Sequence, residues 1–198
     1  MNKNICVITG NRAEYGLLKK LIFLFDVDKS IKLHLVVTGS HLSKEYGNTY
    51  KEIINDGFNI SKKIHILTNS DSPADICNSI GKGLIAFSKY FKKLNPDIVV
   101  LLGDRYELLS AATSCLVCQI PIAHLHGGEI TLGAIDESIR HSITKMSNLH
   151  FVTTKNHRNR VIQLGENPKN VFHVGGFGND AISSFNFLNK SKLENKLR

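Results

Sequence analysis

Short, uninterrupted apolar runs punctuate the chain at residues 5–9, 33–38, 64–67, 98–102, 120–125, 150–153 and 171–174. A strand covered by helices on both faces reads in this continuous way, whereas a half-solvated strand alternates. The segments between the runs carry a helical period. The clearest spans residues 72–94, where Ile76, Ile80, Leu84, Phe87, Phe91 and Leu94 recur at steps of four or three along one stripe. A second stripe holds Ile135, Ile139, Ile143 and Met146, with Asp136 and Glu137 in its first turn, where they complement the helix dipole. Regular alternation of this kind predicts an α/β fold, a doubly wound, Rossmann-like parallel sheet with right-handed crossovers. No internal repeat or low-complexity tract interrupts it, and residues 186–198, polar and charged, read as a linker or a frayed terminal helix.

Composition narrows the class. With 198 residues, 42% hydrophobic and 21% charged, the chain suits one globular domain. At this length roughly 70% of the unfolded surface can be buried without metal or disulfide support. The apolar runs fall far short of the roughly 20 residues that a membrane helix needs. The N-terminus reaches strand-like residues at once, with no apolar signal core, so the cytoplasm is the expected compartment. Cys6, Cys77, Cys115 and Cys118 read as buried thiols. Cys115 and Cys118 form a C-x-x-C pair, but no second pair accompanies it, and it falls late in a helix where no N-terminus lowers a thiol pKa. A net charge of +8, from 25 basic and 17 acidic residues, suits an anionic ligand, although a solvated basic face is the commoner explanation. Nucleic acid is disfavoured, since neither zinc-finger spacing nor an RNP-like signature is present.

Ligands of doubly wound sheets bind beyond the carboxyl ends of the strands. Polar chemistry is concentrated there: Gly10-Asn11-Arg12-Ala13-Glu14 after the first strand, Gly39-Ser40-His41 after the second, Gly103-Asp104-Arg105 after the fourth, and residues 124–129, HLHGGE, at the fifth. Each turn pairs glycine, which permits close backbone approach, with side chains that bind anions or move protons. The standard nucleotide motifs fail. The first turn lacks the three-glycine fingerprint, no Walker sequence occurs, and a formal G-x-G-x-x-A at residues 176–181 has no following strand to carry an acidic ribose ligand.

Asp104 and Arg105 fit either a structural ion pair or a ligand clamp with a base beside it. His124 and His126, two apart along a strand, are expected to point the same way, with Glu129 close behind. A metal site is disfavoured, because only one carboxylate lies nearby. On the helix from Ile135, Asp136 and Arg140 form one i,i+4 pair, and Glu137 and His141 a second. Gly133 and the loop over residues 127–133 are expected to deliver Asp136 toward Asp104 and Glu129, a convergence that suits proton transfer on a phosphorylated substrate.

Five segments taken together carry a family resemblance: GNRAEYG at 10–16, GSHLSKEYGNTYKEI at 39–53, GDRYE at 103–107, HLHGGEITLGAIDESIRHSITKMS at 124–147 and the closing VGGFGNDAI. In combination and order they resemble the hydrolysing UDP-N-acetylglucosamine 2-epimerases of sialic and legionaminic acid biosynthesis. The resemblance implies one half of a GT-B fold, in which two Rossmann-like domains face each other across a nucleotide-sugar cleft. Residues 1–185 are then the N-terminal domain and 186–198 the start of the interdomain linker. The C-terminal nucleotide-binding domain lies outside this chain, which alone is expected to be inactive.

The implied reaction removes the C2 proton as UDP departs from C1, then adds water, converting UDP-N-acetylglucosamine to N-acetylmannosamine and UDP. UDP-N,N'-diacetylbacillosamine is the alternative substrate, and a noncatalytic nucleotide-sugar binding half is the alternative role. By motif match, Asp104 and Asp136 are catalytic candidates. Arg12 and Arg105 are ligand contacts and His41 lies near the sugar, with Gly10, Glu14 and Arg140 as further substrate contacts. Some relatives place a carboxylate where this chain has His126, so His126 and Glu129 join the catalytic set. No metal or redox cofactor is implied, and neither nucleic acid nor membrane is an expected partner. A homo-oligomer is left open.

Overall fold

The structure is a computed structural model that describes residues 2–68, 70–179 and 188–197. Strands and helices alternate along the chain: β1 (Lys3–Thr9), α1 (Arg12–Val27), β2 (Ile31–Val37), α2 (Tyr50–Asn55), β3 (Ile60–Lys63), α3 (Pro73–Leu94), β4 (Ile98–Leu102), α4 (Tyr106–Val117), β5 (Ile122–Leu125), α5 (Ile135–Met146), β6 (Leu149–Val152), α6 (Lys155–Gln163), β7 (Val171–His173) and α7 (Lys190–Leu197). The strands form one parallel sheet in the order β3-β2-β1-β4-β5-β6-β7. Strand order reverses between β1 and β4, and the crevice beyond their carboxyl ends is where such sheets take ligands.

The continuous apolar runs arise because both sheet faces are covered. On one face Cys6, Ile8, Val99, Leu101 and Ile122 pack against Phe87 and Phe91 of α3, Leu108 and Ala111 of α4, and Ile139 and Ile143 of α5. On the other, Val7, Leu35, Val37, Val100 and Leu125 meet Leu18 and Ile22 of α1 and Ile53 of α2. Successive residues of one strand thus feed opposite layers. The stripe on α3 is capped by Ser72, whose side chain accepts from the Asp75 N–H, with Pro73 opening the first turn and left-handed Asn95 closing the last.

Three sequence expectations are corrected. The third strand is Ile60–Lys63, and residues 64–67 lie outside any strand. Ile64 and Ile66 are apolar because they are buried against the α3 layer, although the Ile64 N–H still reaches the Val37 carbonyl at 2.9 Å. The fifth strand begins at Ile122, after Pro121, which has no N–H to give a ladder. Cys6 and Cys115 are buried, but Cys77 and Cys118 are exposed. The Lys190–Leu197 helix falls within the segment read as linker, all of it at the surface. Residues 180–182 of the closing motif lie outside the described residues. Among the described residues, no helix is long and apolar enough to cross a membrane.

Candidate active site

The turn after β1 is built by reciprocal capping. Asn11 caps α1 by accepting from the Glu14 N–H at 2.9 Å, and Glu14 reaches back to take the Gly10 N–H at 2.7 Å and the Asn11 amide at 2.6 Å. Glu14 is 6% exposed. Burial pushes its carboxyl up to about 8, the Gly10 hydrogen bond opposes this, and the nearby Glu107 adds to it.

Gly39 shows how tightly the neighbouring turn fits. At φ +56 its backbone is left-handed, and a β-carbon would lie 2.7 Å from both the Glu107 Oε1 and the Gly10 carbonyl. Glu107 is therefore wedged between the turns that follow β1 and β2. It is fully buried, and neither carboxylate oxygen has a hydrogen-bond partner, but Oε2 lies 3.4 Å from Arg105 Nε. Burial works against the Arg105 charge, yet Glu107 and Glu14 outweigh that and hold its pKa above the ordinary value. Arg105, Glu107, Asn11 and Ser40 border a cavity of about 410 Å³, together with Tyr106, Asp136 and Ile139.

Beside this cavity a second group forms around Arg140. Its guanidinium, 6% exposed, pairs closely with Asp104 Oδ2 and donates to the Glu129 carbonyl at 3.0 Å and to Thr131 Oγ1 at 2.8 Å. The expected Asp136–Arg140 pair is thus replaced by Asp104–Arg140. Arg140 lies on the buried face of α5, where the end of β4 supplies the nearest carboxylate, while Asp136 is left to the cavity. The Glu137–His141 contact is present at 3.8 Å.

His124 and His126 do not share a side, contrary to the strand-based expectation. β5 ends at Leu125, and His126 turns the chain with φ +65. His124 is wholly buried, with Nε2 2.8 Å from the Gly103 carbonyl and Nδ1 3.2 Å from Thr144 Oγ1, and burial pushes its pKa down to about 4. His126 instead meets Glu129, Nδ1 to Oε1 3.3 Å, and its ring rests on Phe177 with centroids 5.3 Å apart.

Asp104, Arg140, Glu129 and His126 are thus linked to one another and do not themselves border the cavity; Arg105, next to Asp104 in the chain, and Asp136, one turn before Arg140, do, and Gly10 and Glu14 lie in the turn behind it. Two candidates stand apart. Arg12 is largely exposed and pairs with Glu52 at 3.0 Å along the outer side of α1. His41 is fully buried, between Thr9 Oγ1 at 3.2 Å and Thr49 Oγ1 at 2.8 Å, its pKa pushed down to about 4 by burial, and it does not border the cavity. Sequence reading gave Glu107 no role, although it closes the GDRYE segment in the first turn of a helix. Thr153 and His157, which extend the Glu129 contacts, carried no motif signal. Among the described residues no three His, Cys, Asp or Glu side chains gather as a metal site.

Residues 25–198 match the family model described as UDP-N-acetylglucosamine 2-epimerase. The chain is 50% identical over 195 residues to the GDP/UDP-N,N'-diacetylbacillosamine 2-epimerase (hydrolyzing) of Campylobacter jejuni, covering 98% of this chain and 50% of that protein. It is 44% identical over 194 residues to the polysialic acid biosynthesis protein P7 of Escherichia coli, covering 98% and 50%. The UDP-GlcNAc 2-epimerase of Methanocaldococcus jannaschii, solved in complex with UDP-GlcNAc and UDP, superposes with a TM-score of 0.80 at 25% identity, over 90% of this chain and 48% of that one. The chain spans about half the length of the curated relatives it matches.

Proposed function

Because the chain belongs to the UDP-N-acetylglucosamine 2-epimerase family, we propose that it is the sugar-handling half of a cytoplasmic, hydrolysing nucleotide-sugar 2-epimerase, working with a second nucleotide-binding domain to complete a GT-B cleft. The observation that carries this reading is the linked set Asp104–Arg140–Glu129–His126 at the carboxyl ends of β4 and β5, beside a cavity bordered by Arg105 and Asp136.

The chemistry asks for proton-transfer groups on more than one side of a sugar ring. A base takes the C2 proton, the C–H electron pair forms a C1=C2 double bond, and the C1–O bond breaks with its electrons leaving on UDP. Water then adds its oxygen at C1, and a proton arrives at C2 on the opposite ring face, giving the 2-epimer and free UDP. Asp104, held by Arg140, and Asp136, facing the cavity, are the candidates for these transfers, together with His126 backed by Glu129. Arg105 offers a fixed positive charge to the phosphates. Positioning of this kind is worth about 7–11 kcal/mol of a barrier. A half-site that cannot fix the diphosphate forgoes much of that, so the chain alone is expected to turn over little.

The substrate proposed is a UDP-linked 2-acetamido hexose. The relative at 50% identity is named for N,N'-diacetylbacillosamine, which favours the diacetylated sugar, and the family description supplies UDP-N-acetylglucosamine as the second reading. Both lie upstream of nonulosonic acids such as sialic or legionaminic acid. The test is a chimaera that joins this chain to the second half of the Campylobacter relative, assayed for UDP release with each sugar. Release is expected with at least one, and Asp104→Asn should lower it by about a hundredfold or more. A folded chimaera that hydrolyses neither sugar would refute the assignment.

A further inference from the structure

The contacts of Glu129 do not stop at His126. Its Oε1 also accepts from Thr153 Oγ1 at 3.1 Å, and Thr153 Oγ1 lies 2.7 Å from His157 Nδ1. The order of donors follows from proton counting. Thr153 has one hydroxyl proton and gives it to the carboxylate, so His157 must present Nδ1–H to the hydroxyl oxygen. An ionised carboxylate only accepts, so His126 must meet it with Nδ1–H. The Nε2 of His126, buried and without a hydrogen-bond partner, is then the atom left with a free lone pair.

The scaffold around this chain of bonds is tight. Gly128, between His126 and Glu129, has φ +77, and a β-carbon there would lie 2.5 Å from the His157 carbonyl and 2.9 Å from Val161 Cγ2 of α6. Arg160 of the same helix donates to the Gly128 carbonyl, and Arg140 of α5 to that of Glu129. The charged or titratable groups that act on or interact with His126 are thus Glu129 from its own loop, His157 from α6 and His124 of β5, while Phe177 lies against the ring.

We propose that Thr153 and His157 are positioning residues that hold Glu129 against His126, fix His126 as its Nδ1–H tautomer and leave Nε2 as a proton acceptor of the site. This rests on the reading of His126 as a proton-transfer group. It deepens that reading by naming which nitrogen acts and what aims it. A carboxylate behind the far nitrogen orients an imidazole and stabilises the imidazolium formed when it takes a proton. Burial holds the resting ring below the ordinary imidazole pKa, the Glu129 charge opposes this and His157 reinforces it, so the acceptor is neutral before it acts.

The tautomer can be read on the 198-residue chain without substrate, from two-bond proton–nitrogen correlation spectra of the nitrogen-15-labelled protein, with His126→Gln identifying the resonances. Above neutral pH, His126 is expected to show a protonated Nδ1 and a bare Nε2. Thr153→Val should shift the ring toward the Nε2–H form, and Thr153→Ser should restore the wild-type spectrum. His157→Gln should raise the His126 titration midpoint by removing a neighbouring positive charge. A purely structural Thr153 would alter the melting temperature and leave the tautomer alone. If Thr153→Val fails to fold, the His126 midpoint in His157→Gln decides the matter. An Nε2–H His126 in the wild type, or Thr153→Val and His157→Gln variants that fold and leave both tautomer and midpoint unchanged, would overturn the proposal. Such a result would leave the epimerase reading intact, and a chimaera that releases no UDP would leave the tautomer result intact.

Discussion

Glu14 is a carboxyl group that the fold has taken out of water at a point where α1 needs a cap. Its folded pKa of about 8 lies above the ordinary carboxyl value near 4.5, so the native state holds more protons than the unfolded chain between the two, and this group's contribution to stability declines as pH rises through that window. His41 and His124 act in the opposite direction. Burial pushes both from near 6.5 to about 4, so the native state binds fewer protons there, and stability is lost as pH falls through that range. Glu14→Gln keeps an acceptor for the Gly10 N–H and removes the titration. Its urea midpoint, compared with that of the wild type, should therefore improve between about pH 5 and about pH 8.5. Parallel midpoints over that range would show that Glu14 titrates normally in the folded state. Single residues of this kind were half legible in the sequence. The strand-end inventory picked out Gly10, Glu14, Asp104, Arg105, His126 and Glu129, along with Arg12 and His41, which stand apart, because a parallel sheet exports its chemistry to that edge; Asp136 came from the helix that starts at Ile135. It could not find Glu107, since burial of a carboxylate between two turns depends on contacts from distant segments, nor could it tell that Arg140 would prefer Asp104 to Asp136.

Elements were legible where one periodicity ran long enough to have no rival reading. The stripe on α3 and the continuous runs of β1, β2 and β4 fall where the pattern puts them, because helix and strand burial impose different repeats. Failures occurred where apolar residues are buried without being in a strand, as at Ile64 and Ile66, or where strand alternation was carried one residue past the strand's end, as at His126. The loop that follows β5 offers a test of how rigidly such an end is held. Gly128 and Gly133 both adopt left-handed backbone, but a β-carbon meets the α6 backbone at the first and nothing within 4 Å at the second. Gly133→Ala should cost about 1–2 kcal/mol, the usual penalty for a side chain in that conformation. Gly128→Ala adds overpacking and should cost about 2–4 kcal/mol in urea unfolding. Equal losses for the two would mean that α6 does not clamp the loop.

At the scale of the whole molecule, helices pack against both faces of the sheet. The half-length relation to the relatives is legible only by comparison. What the molecule does present is a positive field: net charge +8, with Arg105 beside the cavity at the sheet's ligand-binding edge. Attraction of a nucleoside diphosphate by such a field depends on screening, whose length shrinks from about 10 Å at 0.1 M salt to about 3 Å at 1 M. If the proposed second domain supplies most of the grip on the diphosphate, the chain alone should bind UDP weakly, with Kd on the order of 1 mM, and mainly through charge. Raising the salt from about 0.05 M to about 0.5 M should therefore weaken UDP binding several-fold while leaving the feebler binding of uncharged uridine unchanged. Arg105→Gln should weaken UDP binding even at low salt, because it removes a guanidinium that borders the cavity, whereas Lys89→Gln on α3, away from that edge, should not. Chemical-shift titrations of the labelled chain distinguish the cases. Salt-insensitive UDP binding would mean that this half recognises the uridine itself, and equal losses for Arg105→Gln and Lys89→Gln would reduce the interaction to a diffuse basic surface.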